Sequence, residues 1–238
     1  MRSVLIDNTE ITPIPVYRGM PHFPGRIVAL LGDKAPLSLW TAGNADLVGE
    51  VDSGQAGSVA LAASVNSPAS IADGTWDLVR DLAEGGAVLV GGFHSPLERL
   101  CLDRLAAAGR PAIVCLARTL QGFRIPAGWV ASLRSGKLVL VSACEPTHKR
   151  ATRNSVAVRN DCVVSLADCF FVSHARPGGK TEALCQAVLK TGKEVWTLTH
   201  PSCGNLVSLG AKLASAGNVS EILHSGRRRL AASLRPGK

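Results

Sequence analysis

The sequence predicts an α/β chain with a Rossmann-like, doubly wound and mainly parallel sheet, helices lying on both faces. Three observations predict it. Short apolar runs that read as buried strands recur between residues 58 and 198. Between them lie segments whose apolar residues fall at helical spacing, several opened by a capping residue or closed by glycine. The chain's 238 residues, 46% apolar and free of low-complexity tracts, suffice for a real core. Strands that alternate with crossover helices pair in parallel.

The elements follow in order. Residues 1–21 are Pro-rich and weakly periodic and read as an irregular lead-in. Residues 36–43 alternate enough for a short strand, and 44–57 read as turn chemistry and loop. Strands are expected at 58–65, 87–92, 111–117, 137–143, 168–175 and 194–198. Helices are expected at 68–86, 96–109 and 178–192. The second has a well-formed start, with Ser95 as N-cap, Pro96 at the first helical position and Glu98 two further on. A looser piece holds Trp129. A basic segment, 148–160, continues as a helix through 161–167, and short helical pieces close the chain near 203–210 and 218–223. The domain reading is a lead-in, 1–56, packing on a core of 57–223, with a flexible basic tail at 224–238.

Composition narrows the function classes. No apolar stretch approaches the roughly 20 residues that span a bilayer, and the N-terminus lacks a signal peptide's layout, so a cytoplasmic protein with no membrane partner is expected. Cys101, Cys115, Cys144, Cys162, Cys169, Cys185 and Cys203 are scattered singly, so they read as reduced core thiols rather than metal ligands or a disulfide framework. The formal net charge is +8, part of it in Arg227, Arg228, Arg229, Arg235 and Lys238 of the tail. That charge suits a polyanionic partner and equally a solvated tail.

In doubly wound folds ligands sit at the carboxyl ends of the strands. Those ends fall at 64–68, 91–96, 117–121, 144–150 and 175–181. Gly91, Gly92 and Ser95 form a loop able to approach a phosphate, or simply a tight strand-to-helix turn. The run 175-ARPGGKT-181 lacks the first glycine of a Walker A motif. It can still make an anion nest from Gly178, Gly179 and Thr181, with Lys180 as counter-charge. No Ser-His-Asp order singles out His94 or His174, so no catalytic residue, metal or cofactor is assigned. In the basic segment, Lys149 with Arg153, or Arg150 with Arg153, would share one side of a helix. With no aromatic there, contacts would be to phosphates, salt-sensitive and blind to sequence.

Over residues 22–223 the chain resembles the DNA-processing protein A (Smf/DprA) family, and more distantly the LOG-type Rossmann superfamily. The similarity runs through 23-FPGRIVALLGDKAPLSLWTAGN-44, 59-VALAAS-64, 89-LVGGFHSPLE-98, 139-VLVSACEP-146, 158-VRNDCVVSLADCFFVSHARPGGKTEA-183 and 204-GNLVSLGAKL-213. The departures are local. Ala63-Ser64-Val65 stands for the family's Gly-Ser-Arg, Asp161 follows Arg159 and Asn160 where a third basic residue is usual, and Glu98 and Leu102 replace an aspartate and a histidine. The Pro-Gly-Gly turn is similar to that of LOG phosphoribohydrolases, but Cys185 stands where their count requires the catalytic glutamate. The resemblance implies a non-catalytic protein that binds single-stranded DNA in recombination or DNA uptake, as a homodimer with a RecA-type recombinase as partner. Arg159 and Asn160 would order the motif loop, Lys149, Arg150 and Arg153 would contact phosphates, and the two glycine turns would offer amides. The alternatives are a nucleotide or nucleotide-derivative sensor in the same pocket and, last, a LOG-type nucleoside-monophosphate phosphoribohydrolase.

Overall fold

The structure is a computed structural model that describes residues 4–6 and 9–224. In chain order its elements are β1 (Val4–Ile6), β2 (Thr9–Ile11), β3 (Ile14–Tyr17), α1 (Gly25–Leu31), β4 (Ser38–Gly43), α2 (Asp46–Asp52), β5 (Ser58–Ala63), α3 (Ala72–Glu84), β6 (Val88–Gly91), α4 (Pro96–Ala107), β7 (Ala112–Leu116), α5 (Val130–Arg134), β8 (Leu138–Ser142), α6 (Arg153–Leu166), β9 (Cys169–His174), α7 (Lys180–Lys190), β10 (Val195–Leu198), α8 (Gly204–Ser208) and β11 (Lys212–Ala214). They divide into two units. One comprises the chain up to Gln55, Val90–Gly92 and Asp103–Leu166; the other comprises Ala56–Leu89, Phe93–Leu102 and the chain from Ala167 onward.

In the first unit the strand order is β6-β7-β8-β4-β3. β7 and β8 pair in parallel, Ala112 opposite Leu138, while β4 runs antiparallel to both β8 and β3. In the second the order is β11-β10-β9-β5-β6, parallel through the β5–β9, β9–β10 and β10–β11 pairs. β6 gives Val88 and Leu89 to the second unit and Val90 and Gly91 to the first. This is the α/β, Rossmann-like, mainly parallel fold that the alternating pattern predicts.

The strands are buried on both faces, which is why they read as continuous apolar runs: every residue of β5, β6, β8 and β9 is buried. Helix α3 shows the other period, burying Thr75, Leu78, Val79, Leu82 and Ala83 at spacings of three and four. All seven cysteines are buried thiols, none of them in a disulfide. Burial pushes the Cys115 thiol up to about 12 and the Cys185 thiol up to about 11, so both stay protonated near neutrality. Among the described residues no helix is long and apolar enough to cross a membrane.

Four expectations need correction. The lead-in holds β1, β2 and β3; Pro13 and Pro15 hid β3, which the sheet tolerates because β3 lies at its edge. The expected loop at 44–57 contains α2, whose Leu47, Val48 and Val51 are buried and whose start is held by the Asp46 amide donating to Asn44 Oδ1 at 3.1 Å. Residues 148–152 are not helical, since α6 begins only at Arg153. Between the closing helical pieces lies an unexpected strand, β11.

Candidate nucleic-acid interface

Helix α6 carries the candidate site of the first unit. Thr152 and Ser155 set its start by reciprocal bonds: the Ser155 amide donates to Thr152 Oγ1 at 3.1 Å, and the Thr152 amide to Ser155 Oγ at 2.8 Å. The Ser155 hydroxyl also donates to the Ala117 carbonyl at 2.8 Å, tying the helix start to the end of β7. No acid occupies the first turn of α6, while Lys149, Arg150 and Arg153 stand exposed at or just before it. Three cations beside a helix N-terminus oppose its dipole, an arrangement that an external anion would relieve. Lys149 and Arg150 lie in the loop that leads into α6, so the expected sharing of one helical face does not occur.

Two turns into α6 lies Arg159, only 8% exposed. Its Nε donates to Asn160 Oδ1 at 2.9 Å. The rest of the guanidinium occupies the space above Gly92: a Cβ built on Gly92 would overlap Nη1 and stand 2.5 Å from Cζ. A side chain at Gly92 would therefore require the guanidinium to leave this place. Among the described residues no carboxylate pairs with Arg159. A buried guanidinium with an unmatched Nη fork has the geometry to receive an oxyanion.

The second unit treats its amides differently. Glu98 is buried, and its carboxylate accepts from the amides of Ala63 at 2.8 Å, His94 at 2.9 Å and Ser95 at 3.4 Å. The Glu98 amide donates in turn to Ser95 Oγ at 3.2 Å, which completes the expected cap. At the other turn Gly178 adopts a φ of +69°, and its amide donates to Glu182 Oε2 at 2.7 Å. Asn205 Nδ2 donates to Glu182 Oε1 at 2.6 Å and to the Ala175 carbonyl at 3.0 Å. The Asn205 bond, then the Gly178 amide, hold the Glu182 carboxyl below the usual carboxylate range. The Gly179 amide closes a turn onto the Arg176 carbonyl at 2.9 Å, and Lys180 and Thr181 open α7. At both turns an internal carboxylate engages amides that the sequence offers to a ligand.

No protein-family model matches this chain, and no curated protein matches it in sequence. Solved structures do match it in three dimensions. DNA processing protein A from Streptococcus pneumoniae superposes with a TM-score of 0.73 at 18% identity, over 88% of this chain and 74% of that one. The chain has the DNA processing protein A fold. The protein of that name from Helicobacter pylori, described for its single-stranded DNA binding mode, gives a TM-score of 0.71 at 18% identity, over 90% of this chain and 97% of that one.

Within this fold the first unit gathers Gly91, Gly92, Lys149, Arg150, Arg153, Arg159 and Asn160, and the second gathers Ser95, Gly178, Gly179, Lys180 and Thr181. Arg227, Arg228, Arg229, Arg235 and Lys238 lie outside the described residues. Sequence reading placed the loops 117–121 and 144–150 at the ligand edge without singling out their Arg118 and His148, each with a buried ring or guanidine nitrogen that lacks a partner (Nε and Nε2). Their proximity is not written in the one-dimensional pattern, because it comes from the Thr119 amide donating to the His148 carbonyl at 2.8 Å.

His174, at the end of β9, is 7% exposed, and its Nδ1 is buried without a partner. Burial first, then the nearby His200, hold its pKa below the usual histidine value. The folded state thus favours neutral His174, and the unfolded chain takes up the proton more readily. Its contribution to stability is complete above the ordinary value of about 6.5 and is lost as pH falls below it. Replacing His174 with Asn is expected to flatten the decline in urea-unfolding free energy between about pH 6.5 and pH 5. An unaltered pH profile would show that another group sets that limb.

Proposed function

We propose that this protein binds single-stranded DNA without acting on it chemically, with Arg159 as anchoring cation and Lys149, Arg150 and Arg153 as phosphate contacts. The observation that carries this reading is the Arg159 guanidinium, buried over Gly92 and met, among the described residues, by Asn160 alone. A phosphate offers the planar pair of acceptors that such a fork matches. A free nucleotide held by glycine-turn amides is less well served, because Glu98 and Glu182 already engage the amides of His94, Ser95 and Gly178. The fold shared with the Helicobacter pylori protein supports the same ligand. On this reading the protein works in the cytoplasm, in recombination or uptake of DNA, as a homodimer that meets a RecA-type recombinase.

Two details support a non-catalytic role. Ser70 Oγ lies 3.3 Å from His200 Nε2, at a cleft of about 290 Å³ that both residues line, and resembles a nucleophile beside a base. The Ser202 amide, however, donates to His200 Nδ1 at 3.2 Å. A neutral ring then carries its proton on Nε2 and faces Ser70 as a donor, unable to accept the hydroxyl proton. Second, Cys185 remains a buried thiol where phosphoribohydrolase chemistry would need a carboxylate.

The test is fluorescence anisotropy of a labelled oligonucleotide across several salt concentrations. Changing Lys149, Arg150 and Arg153 together to Ala is expected to make the slope of log affinity against log salt shallower by about 2, from three lost phosphate contacts on a single strand. The same titration on a chain ended at Ser225 separates the core from the tail. An unchanged affinity and slope in the triple variant would remove the proposed interface.

A further inference from the structure

Single-strand binders commonly stack bases on aromatic faces, and the basic segment has none. Of the five phenylalanines, Phe23, Phe93, Phe170 and Phe171 are buried, and Phe123 is only half-buried. Its loop is firmly built. The Phe123 amide donates to the Leu120 carbonyl at 3.0 Å across a turn with Gly122 at φ +69°, the position at which such a turn wants glycine. Thr119 Oγ1 accepts from the Gln121 amide at 3.0 Å, and buried Leu120 and Ile125 pin the loop on either side. The ring is therefore left half-buried by a loop that is itself well hydrogen-bonded.

The loop also sits beside the cations. The Ser142 hydroxyl donates to the Arg118 carbonyl at 2.7 Å, and the Thr119 amide reaches His148, the residue before Lys149. The Arg118 guanidinium lies over the Phe123 ring, 6.0 Å from its centroid. All of these residues belong to the first unit, with Arg153 and Arg159.

We propose that the loop after β7 is a base-stacking subsite: Arg118 supports one side of the Phe123 ring, and a nucleobase of a single strand lies on the other. Resting on the single-stranded DNA reading above, this adds what makes the ligand single-stranded, since a stacked base must be free of its own helix. Arg124, exposed next to the ring, and Lys149 would hold the flanking phosphates.

The experiment compares wild-type protein, Phe123→Leu and Phe123→Tyr on two labelled probes of equal length, oligo-dT and an abasic oligonucleotide with the same backbone. Wild type is expected to bind oligo-dT more tightly than the abasic probe. Phe123→Leu is expected to weaken oligo-dT about tenfold while leaving the abasic probe unchanged, and Phe123→Tyr to restore oligo-dT binding. Equal affinity of wild type and Phe123→Leu for oligo-dT would overturn the subsite and leave the Arg159 interface standing. Equal loss on both probes would make Phe123 a structural residue and overturn it too. Failure of wild type to bind either probe would remove both readings together.

Discussion

Replacing Arg159 with Met is expected to raise the melting temperature and, in the same protein, to weaken single-stranded DNA at least about thirtyfold. The two effects share one cause. Arg159 is buried, with Asn160 as its hydrogen-bond partner and no opposing carboxylate among the described residues. Burying a charge without an opposite charge is unfavourable, and methionine keeps the length of the stem while removing the charge. Stability should rise by roughly 1 kcal/mol or more, a few degrees for a chain of this size. Gly92→Ala is the companion change. Its Cβ would displace the guanidinium and leave the charge on the protein, so affinity should fall while net charge stays constant. Thermal melts and anisotropy on both variants check the pair. A lower melting temperature with unchanged affinity for Arg159→Met would mean that the arginine serves the fold and not the ligand.

Glu98→Ala carries the largest expected loss of stability, roughly 3 to 5 kcal/mol. Its carboxylate gathers the amides of Ala63, His94 and Ser95, which come from the end of β5 and from the loop between β6 and α4. With the side chain gone those donors remain in a buried place with nothing to meet them, and α4 loses half of its cap. Glu98→Gln keeps one acceptor oxygen and the shape, so it should recover part of the loss. Urea unfolding of the three proteins gives the comparison. A loss below about 1 kcal/mol in Glu98→Ala would show that water replaces the carboxylate and that the loop is more open than its packing indicates.

The parallel strands were legible because burial on both faces writes them as uninterrupted apolar runs, as in Val88–Gly91 and Cys169–His174. The start of α4 was legible because a cap is a local pattern: Ser95 and Glu98 find one another within a single turn. Where the signal was diluted, sequence reading failed. Gly49 sits within α2 and Pro15 within β3, and both elements are held by contacts distant in sequence, as when Val16 pairs with Leu39. The candidate site was legible only in part. Arg159 stood out by family resemblance, but its seat over Gly92 joins residues 67 positions apart, and that pairing is a product of the fold. The glycine turns were read as amides open to a ligand, and Glu98 as part of a helix cap. That Glu98 and Glu182 would engage those amides depended on which way each carboxylate points, and a first-turn glutamate serves equally well as a cap facing outward.

The seat of Arg159 over Gly92 also couples the ways in which the two positions can change through descent. A residue shorter than arginine can arise at 159 in one step, because it only vacates space. A side chain at 92 can be accommodated only if the guanidinium leaves its seat, whether Arg159 swings aside or is itself replaced. Position 92 thus keeps a memory of position 159. A relative with alanine or serine there has already given up the arginine's seat, and a relative with glycine there has kept the way back open.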